Sequence, residues 1–337
     1  MVEVNTLPWD NLSGCNILVT GGTGLIGSCL VDNLMMNPYK DYQVFAMGRN
    51  QKRANSLFNR FKDDPTFHLL LGDVTEPLHC DVPFHFIIHA ASNGSPNFFI
   101  NHPVEVMKSN LNGVSALIEY GLRHDMKRFL YVSTGEVYGV NDAMVLDENS
   151  YGYVDILNTR SCYPSSKRAA ETLAMCYASE YGADVVVARP CHTYGPHFTE
   201  SDNRVYAQFI RNVLNSQDIV MKSAGTQYRS WCYVEDCVNA LLYILLKGKS
   251  GEAYNIADKS SVVTIRELAE MIAHIAGRKV VMQLPSDYEK KEFTPIKRAV
   301  FDTSKIEALG WSISGTMEDK LRETITVCKA HDRGTNR

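Results

Sequence analysis

The sequence contains no pair of cysteines spaced C-x-x-C, although it has nine cysteines in 337 residues. Their odd number and irregular spacing exclude a regular disulfide framework and give no zinc-binding pattern. Such cysteine usage is typical of a reducing compartment, so we expect a cytoplasmic protein.

Long apolar runs are also missing. No window approaches the roughly 20 apolar residues of a membrane-spanning helix. The first residues, "MVEVNTLPWDNLSG", lack the basic and apolar regions of a signal peptide. We therefore expect no membrane partner and no secretory leader.

Positive charge is not in excess. The 34 lysines and arginines face 38 aspartates and glutamates, which gives a formal net charge of −4 and no basic surface for nucleic acid. Any anion must therefore be bound by a few local cations. The chain is long enough for one large domain or two coupled ones.

Short β-branched runs alternate with helix-length amphipathic segments over the first 190 residues. Such alternation predicts an α/β fold with a Rossmann-like, doubly wound parallel sheet. The predicted strands are 16–20, 43–47, 67–71, 84–90, 128–133 and 184–189, and the predicted helices between them include 24–36, 102–123 and 163–181.

After Pro190 this alternation ends. Residues 191–230 are predicted to be rich in loops, a strand and a helix follow over 230–247, and two further helical patterns cover 264–276 and 315–329. We expect a dinucleotide-binding domain of residues 1–190 plus about 231–258. A smaller, partly interleaved C-terminal α/β substrate domain would hold 191–230 plus about 259–337.

A cluster of glycines joins the first predicted strand to the first helix. Gly21, Gly24 and Gly27 allow a tight turn, close approach of backbone N–H groups to a pyrophosphate, and close packing of helix on strand. The helix N-terminus adds a partial positive charge. This pattern predicts a dinucleotide site.

The second strand ends in Gly48 and Arg49, where an acid usually binds the adenosine ribose. Arg49 could instead pair with a 2′-phosphate, which favours NADP over NAD. Asp73, after the third strand, could accept from the adenine amino group. The small residues of "HAAS" (89–92) would let the cofactor lie against the sheet.

Tyr163 and Lys167 are four residues apart at the start of a predicted helix, so they share one face. A tyrosine with a pKa near ~10 is a poor base at neutral pH. A nearby ammonium stabilises the phenolate and lowers the pKa of the tyrosine. The pair therefore predicts a catalytic base and the lysine that tunes it.

Thr134 and Glu136 follow the fifth strand, at the edge where doubly wound sheets bind ligands. Thr134 offers a hydroxyl to a sugar oxygen, and Glu136 offers a carboxyl group beside it. His85 and His89 are four apart on a strand with no third ligand, so we predict no metal site.

These motifs together resemble the extended short-chain dehydrogenase/reductases, in their nucleotide-sugar epimerase/dehydratase branch. The likeness covers roughly residues 14–328 and rests on "TGGTGLIG", "LGDV", "HAAS", "STGEVYG", "YPSSK", "ARPCHTYGP", "GTQYRSWCYVEDCVNAL", "YNIA" and "FDTSKIEALGW". It implies that Tyr163 takes the proton of the sugar 4-hydroxyl, assisted by Thr134 and Lys167, to form a transient 4-keto sugar.

The resemblance also implies the residues of each binding site. For the cofactor, NAD or NADP, they are Gly21, Thr23, Gly24, Leu25, Ile26, Gly27, Arg49, Asp73, Val74, Ala90, Ala91, Ser92, Ser133, Tyr163, Lys167, Pro190 and His192. For a nucleotide-diphosphate sugar they are Ser92, Glu136, His192, Tyr194, Arg204 and Arg229. Arginine suits a diphosphate because its fork of donors matches phosphate oxygens.

A 4-keto sugar can lead to C4 epimerisation, 4,6-dehydration or decarboxylation. Glu136 favours the last two, whereas Gly135 stands where dehydratases of this branch place an acid. Segments 91–113, 159–173 and 202–210 most resemble UDP-glucuronate decarboxylases. A 4-epimerase and a catalytically silent dinucleotide-binding regulator are the alternatives, and the four catalytic side chains argue against the silent one.

The segments 102–123 and 163–181 resemble the helix pair that forms a four-helix dimer interface in this superfamily. We therefore expect a homodimer.

Overall fold

The computed structural model of the chain describes residues 7–286, 293–294 and 296–335. The first six residues, part of the segment that argues against a signal peptide, lie outside this set. In the part of the chain that is described, no helix is long and apolar enough to cross a membrane.

Seven parallel strands form the main sheet, in the order β10-β6-β5-β4-β1-β2-β3. All six predicted strands are among them. The seven strands are β1 (Asn16–Thr20), β2 (Gln43–Gly48), β3 (Phe67–Leu71), β4 (Phe86–His89), β5 (Arg128–Val132), β6 (Val185–Pro190) and β10 (Ala253–Ile256).

Helices cover both faces of this sheet, which explains why its strands are apolar almost throughout. α1 and α7 pack on one face, and α4 and α5 pack on the other. The helices of this part are α1 (Leu25–Met35), α2 (Gln51–Phe58), α3 (Pro96–Asn101), α4 (Pro103–Arg123), α5 (Cys162–Tyr181) and α7 (Val234–Lys247).

The strand order reverses between β1 and β4, so the connections that follow these two paired strands leave in opposite directions and a crevice forms between them. In open parallel sheets such a crevice is the usual ligand site. The glycine turn, the "HAAS" segment and the 134–136 turn all follow strands at this edge.

The region 191–230 is more regular than the sequence suggested. It contains one helix and three strands, because its apolar residues recur at helical and strand spacing that the turn residues around them obscure. These elements are β7 (His192–Tyr194), α6 (Val205–Leu214), β8 (Ile219–Met221) and β9 (Tyr228–Tyr233).

Two small sheets and three helices complete the described chain. β9 lies between β11 and β13 and also pairs with β7, while β8 pairs with β12. The remaining elements are β11 (Asp258–Thr264), α8 (Ile265–Ala276), β12 (Val280–Met282), β13 (Arg298–Ala299), α9 (Ser304–Glu307) and α10 (Met317–Thr335). α6, α8 and α10 enclose a second apolar core.

Candidate active site

The glycine turn brings β1, α1 and β4 into direct backbone contact. Gly21 has a φ of +70°, and a Cβ there would lie 2.7 Å from the carbonyl oxygen of Ala90. A Cβ at Gly27 would collide with the carbonyl of Gly21. Only glycine satisfies both positions, so the turn keeps backbone N–H groups open to an anion at the N-terminus of α1.

The side chains of Leu25 and Ile26 pack into or against the apolar cores. Only their backbone amides are left to contact a cofactor, as expected for the first turn of a helix.

The end of β2 differs from a ribose-binding site with an acid. A Cβ at Gly48 would lie 3.1 Å from the Thr23 hydroxyl, so the threonine occupies that space. Arg49 is largely exposed and forms an ion pair with Asp73 at 3.2 Å. Asp73 therefore holds Arg49 near the end of β2, where the sequence has no acid to bind an adenosine ribose.

Arg53 is a neighbour of this site that the sequence analysis missed. Its Nε donates to the Thr23 carbonyl at 2.8 Å, and its terminal nitrogen donates to the His197 carbonyl at 2.6 Å. The guanidinium thus connects the glycine turn to the loop that follows β7.

The ends of β4 and β5 carry serine hydroxyls whose hydrogen-bonding capacity is unused within the described chain. Ser92 Oγ and Ser133 Oγ are buried and have no protein partner there. Buried hydroxyls are normally paired, so two of them beside the glycine turn fit the polar groups of a dinucleotide. The backbone at Ala90 and Ala91 lies against Gly21, and Val74 and Pro190 lie buried at the same edge.

Tyr163 and Lys167 lie in the first turns of α5, buried at the same edge of the sheet. The Tyr163 ring stacks on Phe99 at 4.4 Å and 14°. Lys167 Nζ donates to the Val132 carbonyl at 2.9 Å and lies 6.0 Å from the centre of the Tyr163 ring. The structure therefore brings the predicted pair together.

Burial dominates the proton affinity of both groups. It raises the pKa of Tyr163 to about 12, helped by the Glu136 charge and opposed by a hydrogen bond from Thr134. Burial also lowers the pKa of Lys167 to about 7, with Glu171 acting in the opposite direction. Lys167 is not among the main influences on the pKa of Tyr163, and its ammonium donates to a backbone carbonyl; the tuning of Tyr163 by Lys167 stays a prediction.

Glu136 is held by an arginine that sequence reasoning did not single out. Arg160 forms a bidentate ion pair with it, with N–O distances of 2.7 and 3.0 Å, and lies over the Phe99 ring. Burial alone would lower the pKa of Arg160, but the Glu136 carboxylate raises it. Thr134 Oγ accepts from the backbone N–H of Glu136 at 3.3 Å, so Thr134, Glu136 and Arg160 form one assembly beside Tyr163.

Gly135 has no room for a side chain. A Cβ there would collide with the ring of Phe301, whose Cε2 atom would be 2.6 Å away. Phe301 follows β13 and is 4% exposed. An acid at position 135 is therefore excluded by packing as well as by the residue present.

Arg229 lies in β9, 2% exposed. Its guanidinium donates to the backbone carbonyls of Tyr228 and Ile296, and no carboxylate in the described part of the chain forms an ion pair with it. Burial lowers the pKa of Arg229 to about 10, whereas Glu136 raises it. A buried guanidinium without a carboxylate is well suited to an anionic ligand.

Arg204 forms a bidentate pair with Asp202, with Nε–Oδ1 and terminal N–Oδ2 distances of 3.0 and 2.6 Å. It lies close enough for Tyr163 to raise its pKa. Arg204 is thus near the catalytic tyrosine, but its charge is balanced by a carboxylate within the protein.

His192 and Tyr194 differ in their suitability as ligand contacts. His192 packs on Trp231 with ring centres 5.3 Å apart, and burial together with Arg229 and Arg204 lowers its pKa to about 3, so it is neutral. Tyr194 is 1% exposed in the second core, packed against Tyr233. Alternation along β7 puts Tyr194 on the same face as His192, but the packing of the second core encloses the Tyr194 side chain. The structure therefore gives no support to the prediction for Tyr194.

Arg160, Arg53 and Phe301 are the neighbours that sequence reasoning missed. Arg160 could have been found from its position three residues before Tyr163, because it lies in the short 3-10 turn Thr159–Ser161 that leads directly into α5. Arg53 and Phe301 act through contacts with distant residues, which no local spacing reveals. The described residues contain no group of three or more side chains able to hold a metal ion.

The parallel sheet, the glycine turn and the Tyr–Lys pair at one sheet edge define a dinucleotide-binding protein of the Rossmann type. The chain belongs to the NAD dependent epimerase/dehydratase family, whose model matches residues 17–257.

Individual relatives agree with this assignment. UDP-glucuronic acid decarboxylase 6 of Arabidopsis thaliana is 35% identical over 322 residues, which cover 94% of this chain and 88% of that protein. UDP-glucuronic acid decarboxylase 1 of Xenopus tropicalis is 30% identical, covering 92% of this chain and 71% of the relative.

Solved structures show the same fold. UDP-glucose 4-epimerase of Thermotoga maritima, with UDP-glucose, superposes with a TM-score of 0.81 at 25% identity, covering 96% of this chain and all of the other. A double mutant of dTDP-glucose 4,6-dehydratase from Streptomyces venezuelae, with NAD bound, gives 0.80 at 25% identity, covering 95% and 98%.

Proposed function

We propose that this NAD-dependent, nucleotide-sugar-modifying enzyme decarboxylates a UDP-hexuronic acid of the glucuronate type through a transient 4-keto sugar. The two UDP-glucuronic acid decarboxylases described above support this substrate class. The observation that carries the proposal is the buried Arg229, whose guanidinium lies within electrostatic reach of Glu136 and lacks a carboxylate partner among the described residues. The diphosphate of a nucleotide sugar supplies that missing charge.

The chain's own residues would divide the chemistry as follows. Tyr163 removes the proton from the 4-hydroxyl, and Thr134 hydrogen-bonds to the phenol and orients it. The glycine turn, Ser92 and Ser133 would hold the dinucleotide, which would supply the acceptor and the donor of the C4 hydride. Arg160 keeps Glu136 fixed beside the reacting carbon.

Decarboxylation is better supported than the other outcomes of a 4-keto sugar. Loss of water needs a proton donor for the departing hydroxyl, and packing excludes a second acid at position 135. Epimerisation needs no carboxylate beside the sugar, which would leave the buried Glu136–Arg160 pair without a role. A silent regulator would not need the buried Tyr163–Lys167 pair.

The residues of the glycine turn, together with Ser92 and Ser133, would hold the cofactor. At the adenosine end of the site we propose a preference for NADP over NAD. The support is the missing acid after β2 and the guanidiniums of Arg49 and Arg53 beside Thr23. Cofactor extracted from the purified protein tests this, and recovery of NAD alone would reject the preference. Gly48→Asp/Thr23→Ser should then shift binding toward NAD, because it restores an acid for the ribose.

Three broader features complete the proposal. The first is a homodimer through α4 and α5 of each subunit, supported by apolar side chains exposed on α4. The second is a reducing, cytoplasmic location, supported by nine cysteines that form no disulfide within the described part of the chain. The third is the division into a dinucleotide-binding part, residues 1–190 plus about 231–258, and a sugar-binding part, residues 191–230 plus about 259–337. Its support is that most of the second apolar core lies in the sugar-binding part.

Product analysis tests the reaction. The purified enzyme is incubated with UDP-glucuronate, UDP-glucose, dTDP-glucose, GDP-mannose and CDP-glucose, and products are followed by mass. We expect loss of carbon dioxide from UDP-glucuronate only. Loss of water from another sugar, or an isomer of unchanged mass, would contradict the proposal.

The Tyr163→Phe variant tests the site. It should abolish turnover while dinucleotide binding, measured by calorimetry, stays within about threefold, because the ring and its stacking on Phe99 remain. Lys305→Met, at a partly exposed lysine paired with Glu252, is the control and should keep its activity. Turnover by the Tyr163→Phe variant at the wild-type rate would refute the role of Tyr163.

A further inference from the structure

Phe301 has a place in the site that the mechanism above does not use. Its ring packs on the backbone of Gly135, between the two residues Thr134 and Glu136 that face the sugar. Phe301 and Gly135 are far apart in the sequence, and only the fold brings them into contact.

The ring is fixed from several sides. The Phe301 backbone N–H donates to Ser230 Oγ at 3.1 Å, beside Arg229. The Leu146 backbone bonds to the residues on either side of Phe301, accepting from the Asp302 N–H and donating to the Val300 carbonyl. The Tyr138 ring meets Phe301 edge-on at 5.5 Å. Such a ring cannot swing aside to admit a side chain at position 135.

We propose that Phe301 determines the outcome of the reaction by forming an apolar wall beside the sugar carboxylate. This inference rests on the proposed function, because it concerns the fate of the 4-keto hexuronic acid. The wall occupies the direction in which residue 135 would extend, so the pocket next to Glu136 contains one acid and one apolar surface.

The wall favours loss of carbon dioxide for a chemical reason. In this step the C5–C6 bond breaks, its electron pair moves to the C4 carbonyl oxygen as an enolate, and carbon dioxide leaves. C5 then takes a proton. The charge leaves a compact carboxylate and spreads over the enolate, so an apolar neighbour that excludes water destabilises the starting charge more than the transition state. Loss of hydroxide would instead require a proton donor, which the ring displaces.

The experiment compares Phe301→Gln, which is polar, with Phe301→Leu, which is apolar, in the NAD-loaded enzyme. Phe84→Leu, a change at a fully buried phenylalanine in the core of the main sheet, controls for a general loss of packing. Carbon dioxide release, accumulation of the 4-keto acid by mass, and the Kd for UDP-glucuronate are measured.

We expect Phe301→Gln to release carbon dioxide about tenfold more slowly and to accumulate the 4-keto acid, with Kd changed less than about threefold. Phe301→Leu should stay near the wild type. Equal losses in both variants without accumulation, or no loss in Phe301→Gln, would overturn the inference.

A second measurement separates this inference from the proposed function. Gly135→Ala should lower the melting temperature, and Phe301→Leu should relieve that loss in the double variant, because the two side chains compete for one space. Additive losses would show that Phe301 is not the wall at position 135. Absence of carbon dioxide from the wild-type enzyme would instead refute the proposed reaction, whatever the outcome of this cycle.

Discussion

Lys167 carries an ammonium into the interior, 2% exposed, where its hydrogen-bond acceptor is a backbone carbonyl. Burial lowers its pKa from 10.5 to about 7. Between these values the unfolded chain binds a proton that the folded chain does not, so the free energy of unfolding rises with pH across this range. Below about pH 7 the full cost of burying the charge is present.

We therefore expect Lys167→Met to raise the melting temperature at pH 6, and this gain should shrink as the pH approaches 10. Thermal unfolding from pH 6 to 9.5 measures it. Lys305→Met serves as the comparison, because Lys305 is partly exposed and paired with Glu252, and its effect should be small across the range. A Lys167→Met variant that is less stable at every pH would contradict the prediction.

At the scale of single residues, the chemistry of the side chains was enough to predict much of the candidate site. Tyr163, Lys167, Thr134 and Glu136 were chosen because their chemistry and local spacing point to one reaction, and the structure brings them to one sheet edge. The motif did not show that the Tyr194 side chain is enclosed in the second core, because that packing depends on residues far along the chain.

At the scale of elements, the turn between β1 and α1 depends on backbone contact. A methyl group at Gly27 would meet the Gly21 carbonyl, which cannot move without displacing β1 or the helix. We expect Gly27→Ala to abolish dinucleotide binding and to lower the free energy of unfolding by about 2 kcal/mol or more, as overpacking does.

Gly182→Ala is the matched change at the end of α5. Gly182 has a φ of +71° and open space around it, so the cost is about 1 kcal/mol of backbone strain without loss of binding. Calorimetry with NAD and urea unfolding measure both variants. Binding by the Gly27→Ala variant equal to that by the Gly182→Ala variant would contradict this account of the turn.

The main elements were predictable because buried parallel strands are continuous apolar runs and the helices between them have regular spacing. The strands β7, β8 and β13 have two or three residues each, too few for periodicity to show. Their pairing with β9 or β12 depends on residues far along the chain.

At the scale of the whole molecule, α4 exposes three apolar side chains among polar ones. Val104 is 65% exposed, Met107 is 38% and Leu122 is 39%, and their spacing puts them on one side of the helix. Tyr181, at the end of the neighbouring α5, is 59% exposed. A second copy of this helix pair would cover these side chains.

We expect the wild type to have twice the 37.8 kDa chain mass by light scattering, and Val104→Glu/Met107→Glu to be monomeric, because a buried like charge opposes association. Met36→Glu, at an exposed methionine outside α4, should leave the mass unchanged. A monomeric wild type would refute the interface.

The seventh strand of the main sheet, β10, follows β7, β8 and β9 in the chain, so it is made after parts of both small sheets. While the protein is being synthesised, the outer edge of β6 therefore stays bare until Ile256 has left the ribosome. A bare edge recruits strands from other chains. A fragment that stops at Pro190 should accordingly collect in inclusion bodies, and the nascent chain is a natural client for a chaperone until its last edge is closed.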